Sequence, residues 1–172
     1  MNHNICCEYE NVTVRPLSRK DIEYLRKWRN DENNTKYLTP IGHISKEQQE
    51  SWYERYLTND DEYIFAIDEN KSLNRVVGSA ALYNFDGDQV EFGKIMVGDD
   101  EAHGKKVGYN AIKVLIKIAY EKFGCNKVIL RCYTDNIVAC NLYKKVGFSE
   151  KDRYLTVEGK EETLMEIKTT DI

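Results

Sequence analysis

The run QVEFGKIMVGDDEAHGKKVGYNAIKVLIKIAYEKFGCNKVILRCY, residues 89–133, decides the architecture of this chain. Residues 89–97 read as a strand, 98–104 as a glycine-bearing loop, and 105–122 as the strongest helical pattern present. Val107, Ala111, Val114, Leu115 and Ile118 recur at the spacing that lines one buried helical face. A further strand follows over residues 128–133. Two parallel strands need such a crossover between them, usually a helix.

Outward from this unit the pattern alternates differently. Val12-Thr13-Val14-Arg15 is a strand that meets Pro16. Ser18 with Asp21, and Ser45 with Gln48, have capping spacing and open two helices. Ile22, Leu25 and Trp28 stripe the first; Trp52, Tyr53, Tyr56 and Leu57 form the apolar side of the second. A polar loop, residues 30–44, joins them. Residues 63–67 and 75–84 are strands, and Asp86-Gly87-Asp88 turns the chain back into residues 89–97. After residue 133 come a helix over 137–146, stopped by Gly147, and strands over 149–156 and 161–168. The expectation is a single α/β domain over 12–172 behind a tail of residues 1–11. Its mixed central sheet would have about seven strands, with helices on both faces.

The 172 residues are 41% hydrophobic and 31% charged, enough for one core without staples. A net charge of -4 argues against a general nucleic-acid binder, whose footprint is usually basic. Five cysteines, Cys6, Cys7, Cys125, Cys132 and Cys140, make neither a CxxC nor a zinc pattern with histidine, so reduced thiols and no metal are expected. The start lacks a basic segment followed by an apolar run, and no stretch approaches the ~20 apolar residues of a membrane span. A cytoplasmic location is expected, with neither nucleic acid nor membrane as partner.

Two segments carry candidate chemistry. The first, His103-Gly104-Lys105-Lys106-Val107-Gly108-Tyr109, opens the long helix. Free N–H groups and the macrodipole at a helix start favour an anion such as pyrophosphate. An ordinary strand-to-helix turn with solvated lysines explains the same residues. The second is Asn136-Ile137-Val138-Ala139-Cys140-Asn141-Leu142-Tyr143-Lys144-Lys145-Val146-Gly147-Phe148. Alone it reads as a capped amphipathic helix with a glycine stop.

Together these segments resemble the GNAT acetyltransferase superfamily, whose pyrophosphate motif is Q/R-x-x-G-x-G/A and whose later segment is N-x-x-A-x-x-L-Y-x-K-x-G-F. Asn136, Ala139, Leu142, Tyr143, Lys145, Gly147 and Phe148 match the later motif residue for residue. In the earlier one Gly108 matches, His103 replaces the glutamine or arginine, and Lys106 replaces the middle glycine. The element order extends the resemblance over residues 12–168. A dinucleotide or P-loop reading of residues 104–108 fails because the glycine spacing is absent.

What the resemblance implies is transfer of an acetyl group from acetyl-CoA directly to a primary amine. Ile95, Met96 and Val97 would hold the pantetheine and acetyl group, in a slot where strands 89–97 and 128–133 splay. His103, Gly104, Lys105, Lys106, Val107, Gly108 and Tyr109 would hold the pyrophosphate. Asn136 would flank the pantetheine, and Tyr143 would be the general acid toward the coenzyme A sulfur. Period-two alternation puts Glu91 on the face of Ile95 and Val97, as the general base or as an anchor for the substrate ammonium. The loop around His43, the helix containing Trp52 and the final hairpin would wall the acceptor. The branch resembled includes ribosomal-protein N-terminal, polyamine and amino-sugar-nucleotide N-acetyltransferases. A small amine such as an amino sugar is favoured over a protein N-terminus; a non-catalytic acyl-CoA binder is the remaining alternative. A homodimer is compatible with all of these.

Overall fold

The computed structural model describes residues 3–38 and 40–171. In chain order the elements are β1 (Cys7–Tyr9), β2 (Val12–Pro16), α1 (Ile22–Arg29), α2 (Glu32–Thr35), α3 (Lys46–Thr58), β3 (Glu62–Glu69), β4 (Arg75–Asp86) and β5 (Gln89–Val97). Then follow α4 (Val107–Phe123), β6 (Lys127–Tyr133), α5 (Ile137–Val146), β7 (Ser149–Leu155) and β8 (Glu161–Lys168). One eight-stranded sheet runs β1-β2-β3-β4-β5-β6-β8-β7. Every neighbouring pair is antiparallel except β5 and β6, the pair joined through α4.

The eighth strand lies inside the segment read as a tail. Cys7–Tyr9 pairs with β2, Cys7 opposite Val14, and packs on α4. Only three residues long, it has no usable alternation, so its pairing comes from the tight turn at Glu10 and Asn11 and from the helix beneath it. The short helix α2 similarly interrupts the loop expected over 30–44, with the Asp31 carboxylate accepting from Asn33 N.

Alternation along the strands divides the core in two. Phe65 and Ile67 of β3, Val90 and Phe92 of β5, and Val128 and Leu130 of β6 face α4 and α5. Ile64, Ala66, Val76 and Ala81 face α1 and α3, where Leu25, Tyr53 and Tyr56 cover them. In α4, Val107, Ile112, Val114, Leu115, Ile116 and Ile118 are all buried, each contributing about 1.5–3 kcal/mol. Tyr53 and Tyr56 are the buried aromatics of α3, whereas Trp52 and Leu57 are half-buried at its margin. Trp28 packs directly on Gly98: a Cβ there would sit 2.2 Å from its Cγ. That contact clamps the end of α1 onto the loop leaving β5.

Candidate active site

The parallel pairing of β5 with β6 spans Gln89–Lys127, Val90–Val128 and Glu91–Ile129, and no further rung joins them among the described residues. β5 nevertheless continues to Val97 and β6 to Tyr133, so the strands splay into a notch. On its other edge β5 stays paired with β4, Met96 opposite Ser79 and Val97 opposite Gly78. The edge of Ile95, Met96 and Val97 facing the notch therefore has no strand partner among the described residues.

β5 does not run straight through this region. Ala81 faces Gly93 while Ser79 faces Met96, so Lys94 and Ile95 together oppose Ala80. Lys94 takes φ 53, and this β-bulge inverts the side-chain parity. The expected face-sharing of Glu91 with Ile95 and Val97 is thus wrong. Ile95 and Val97 turn toward the α4–α5 core, while Glu91, Lys94 and Met96 line a cavity of about 970 Å³ on the opposite face. Leu25, Arg29, His43, Trp52, Arg131 and Glu162 also line it, so the loop, α3 and the final hairpin wall this space.

Glu91 is 5% exposed. Its Oε2 accepts from Asn84 Nδ2 at 2.9 Å and pairs with Arg131 Nη1; among the described residues its Oε1 accepts only from Tyr83 Oη, at 3.4 Å. The hydrogen bond that Arg131 donates to Glu91 holds its guanidinium more firmly charged. Burial, and then the Glu91 charge, push the Tyr83 phenol upward. Arg131, Tyr83 and Asn84 had no signal in the sequence. Only the register Glu91–Ile129 shows that Arg131, two residues further, reaches Glu91.

Tyr143 is 6% exposed, its ring edge-on to Phe92 and Phe148. Its hydroxyl has no hydrogen-bond partner among the described residues, yet no buried side-chain polar atom is left unpartnered. The oxygen is therefore at an accessible surface. Burial pushes this phenol well above its ordinary value, so at neutral pH it is protonated. Asn136 is the N-cap of α5, its Oδ1 accepting from Ala139 N at 3.3 Å. The plain capping role is real, and the side-chain amide remains to donate.

Beyond the notch, α4 starts without a side-chain cap and without an acidic residue in its first turn. Lys106, its N-cap, is left-handed at φ 60 and ψ 17, and Gly104 takes φ 78. His103 Nε2 lies 3.1 Å from Val97 O, so this residue ties the loop to the end of β5. A Cβ at Gly108 would lie 3.4 Å from Leu142 Cδ2 and 3.9 Å from Val97 Cγ2, between β5 and α5. Lys113 and Lys145 sit over the Tyr109 ring. An uncapped start of a 17-residue helix, approached by lysines and continuous with an open strand edge, fits a pyrophosphate joined to an extended amide chain.

Among the described residues, no cluster of His, Cys, Asp or Glu could hold a metal ion, and no helix is long and apolar enough to cross a membrane. All five cysteines are free thiols.

Comparison with known proteins agrees with this fold. The chain superimposes on spermidine N-acetyltransferase from Vibrio cholerae, solved with CoA and spermine, with a TM-score of 0.79 at 20% identity, covering 93% of this chain and 96% of that one. A GNAT-family acetyltransferase from Bacillus anthracis gives 0.81 at 17% identity, covering 96% and 99%. Among curated sequences, an N-acetyltransferase 9-like protein of Caenorhabditis briggsae is 23% identical over 158 residues, 86% of this chain and 79% of that protein. Residues 11–149 match the acetyltransferase (GNAT) domain, so with its splayed strands and uncapped helix this chain belongs to the GNAT family of acetyl-CoA-dependent N-acetyltransferases.

Proposed function

We propose that the chain acetylates a small amine bearing one cationic centre and neutral polar groups, the amino-sugar class. The observation that carries this is the charge balance of the cavity. Glu47, Glu62, Glu91 and Glu162 share the lining with Arg29, Arg55, Lys94 and Arg131, so formal charges cancel. Glu62 is paired with Lys94 and Glu91 with Arg131, while Glu47 accepts from Ser45 Oγ and Glu162 from Tyr154 Oη, so two of the four carboxylates are held by a cation and two by hydroxyls. A polycation needs carboxylates that are not already neutralised, because burying several unpaired ammonium groups is expensive. Trp52, Tyr37 and Tyr133 supply flat apolar faces for a ring, and the arginines supply donors for its oxygens.

The donor brings an activated acetyl thioester; the protein's residues hold it and move protons. The backbone of Ile95, Met96 and Val97 aligns the pantetheine arm along the notch, flanked by Asn136. His103, Gly104, Lys105, Lys106, Val107, Gly108 and Tyr109 form the seat of the pyrophosphate. Glu91 is anchored through Oε2, leaving Oε1 to take the proton of the acceptor ammonium, directly or through a water. The freed amine lone pair attacks the acetyl carbonyl. Tyr143 Oη gives its proton to the departing sulfur and recovers one from the new amide nitrogen through solvent.

The test is coenzyme A release across an acceptor panel of equal concentration: a hexosamine, a hexosamine nucleotide, spermidine, and a short peptide with a free N-terminus. The expected result is a higher kcat/KM for the amino sugars than for spermidine or peptide. Faster turnover of spermidine would show that the paired carboxylates open for a polycation. Faster turnover of the peptide would move the acceptor class to protein N-termini.

A further inference from the structure

Asn11 lies outside both motifs, in the turn between β1 and β2. Its Nδ2 donates to Lys105 O at 3.1 Å and to Glu69 Oε1 at 3.1 Å, and its Oδ1 accepts from Asn110 Nδ2 at 2.7 Å. Both flanking groups are fixed. Glu69, 1% exposed, accepts from Leu73 N, Ser72 N, Ser72 Oγ and Lys71 N of the β3–β4 turn. Asn110, 5% exposed, belongs to the first turn of α4. Asn11 O in addition accepts from Asn70 N at 2.9 Å. One side chain thus connects a rigid hairpin on one side to the loop and first turn of α4 on the other.

The bond to Lys105 O has a geometric consequence. Lys105 and Lys106 share a planar trans peptide, in which C=O and N–H point in opposite directions. Drawing the carbonyl toward Asn11 directs the Lys106 N–H away from the β1–β2 turn. The same bond holds the peptide preceding the left-handed Lys106, a conformation that a lysine does not favour. Asn110 then sets the first turn of α4 against the same anchor.

We propose that Asn11 is a positioning residue for coenzyme A, holding the Lys105–Lys106 peptide and the start of α4 in the geometry that binds pyrophosphate. This rests on the reading of residues 103–109 as the pyrophosphate seat. Asn11 touches no reacting atom; its effect is on donor affinity, with acceptor binding and chemistry left alone.

The experiment is calorimetric titration with coenzyme A plus steady-state kinetics for wild type, Asn11→Ala, Asn70→Ala and the double variant Lys105→Glu/Lys106→Glu. Asn70→Ala is the control, since its side chain bonds Thr13 Oγ1 in the same corner without reaching the loop. Asn11→Ala is expected to raise Kd for coenzyme A and KM for acetyl-CoA roughly fivefold, the scale of one neutral hydrogen bond. Saturated kcat and acceptor KM stay at wild-type values, and Asn70→Ala binds coenzyme A as wild type does. The proposal is overturned if Asn11→Ala binds coenzyme A normally, or if Asn70→Ala weakens it as much. Unchanged coenzyme A affinity in the double charge reversal overturns the reading of the loop itself, and the role of Asn11 with it. Should Asn11→Ala not fold, Asn11→Ser keeps a polar turn residue too short to span to Lys105 O and is read in the same way.

Discussion

Replacing Lys106 with glycine separates two effects at the start of α4. The residue sits at φ 60 and ψ 17, where an L side chain costs roughly 1–2 kcal/mol. Glycine removes that cost but gives the unfolded chain extra freedom worth about 0.5–1 kcal/mol. The net expectation is a gain of about 0.5–1 kcal/mol in the ligand-free protein. For a chain of this length that is a rise in Tm of about 1–4 °C. Donor binding should move the other way. Lys106 stands at the positive end of the helix macrodipole, an unfavourable place for a cation with no anion to meet. An exposed contact of its ammonium with a phosphate is worth at most ~1 kcal/mol, so coenzyme A should bind a few-fold more weakly. Its salt dependence should flatten, because one screened charge contact is gone. Thermal unfolding without ligand and calorimetry at two salt concentrations read both effects. A lower ligand-free Tm in Lys106→Gly would refute the left-handed geometry. Unchanged affinity together with an unchanged salt slope would refute the phosphate contact.

Two further outcomes follow from buried groups. Tyr143→Phe should keep coenzyme A affinity while lowering kcat by ~10²-fold. Because burial raises this phenol, any alkaline loss of kcat due to it lies above pH ~10, and an unchanged kcat where chemistry limits turnover would remove Tyr143 from the mechanism. Burial alone would raise the Glu69 pKa, but bonds from Leu73, Ser72 and Lys71 outweigh it and bring it to about 2. A carboxyl depressed on folding contributes stability above its unfolded pKa, and this contribution is lost as pH falls through the folded value. Tm should therefore drop between pH ~4.5 and ~2, with a shallower acid limb in Glu69→Gln; an identical limb in both proteins would contradict the network.

The sequence by itself determined what depends on near neighbours. The stripe of α4 is a matter of residues three and four apart, and it survives as Val107–Phe123. The capping of α3 by Ser45 and Gln48, the N-cap at Asn136 and the glycine stop at Gly147, with φ 123, are contacts within one turn. The β5–α4–β6 crossover followed from element order, because parallel neighbours need a long connection. Tertiary structure alone decided the rest. Period-two counting misplaced Glu91 because the bulge at Lys94 adds one residue; Gly93 inside the strand is the kind of residue that marks a bulge, but which position is doubled is set by the pairing with β4. The pairing of Glu91 with Arg131 depends on a parallel register between residues far apart in sequence. His103 on Val97 O, Trp28 on Gly98 and Asn11 on Lys105 O likewise join segments whose approach is set by packing of the whole sheet and its helices. Short-range periodicity and caps are written in adjacent residues; register and the meeting of distant loops are fixed only when the two cores close on the sheet.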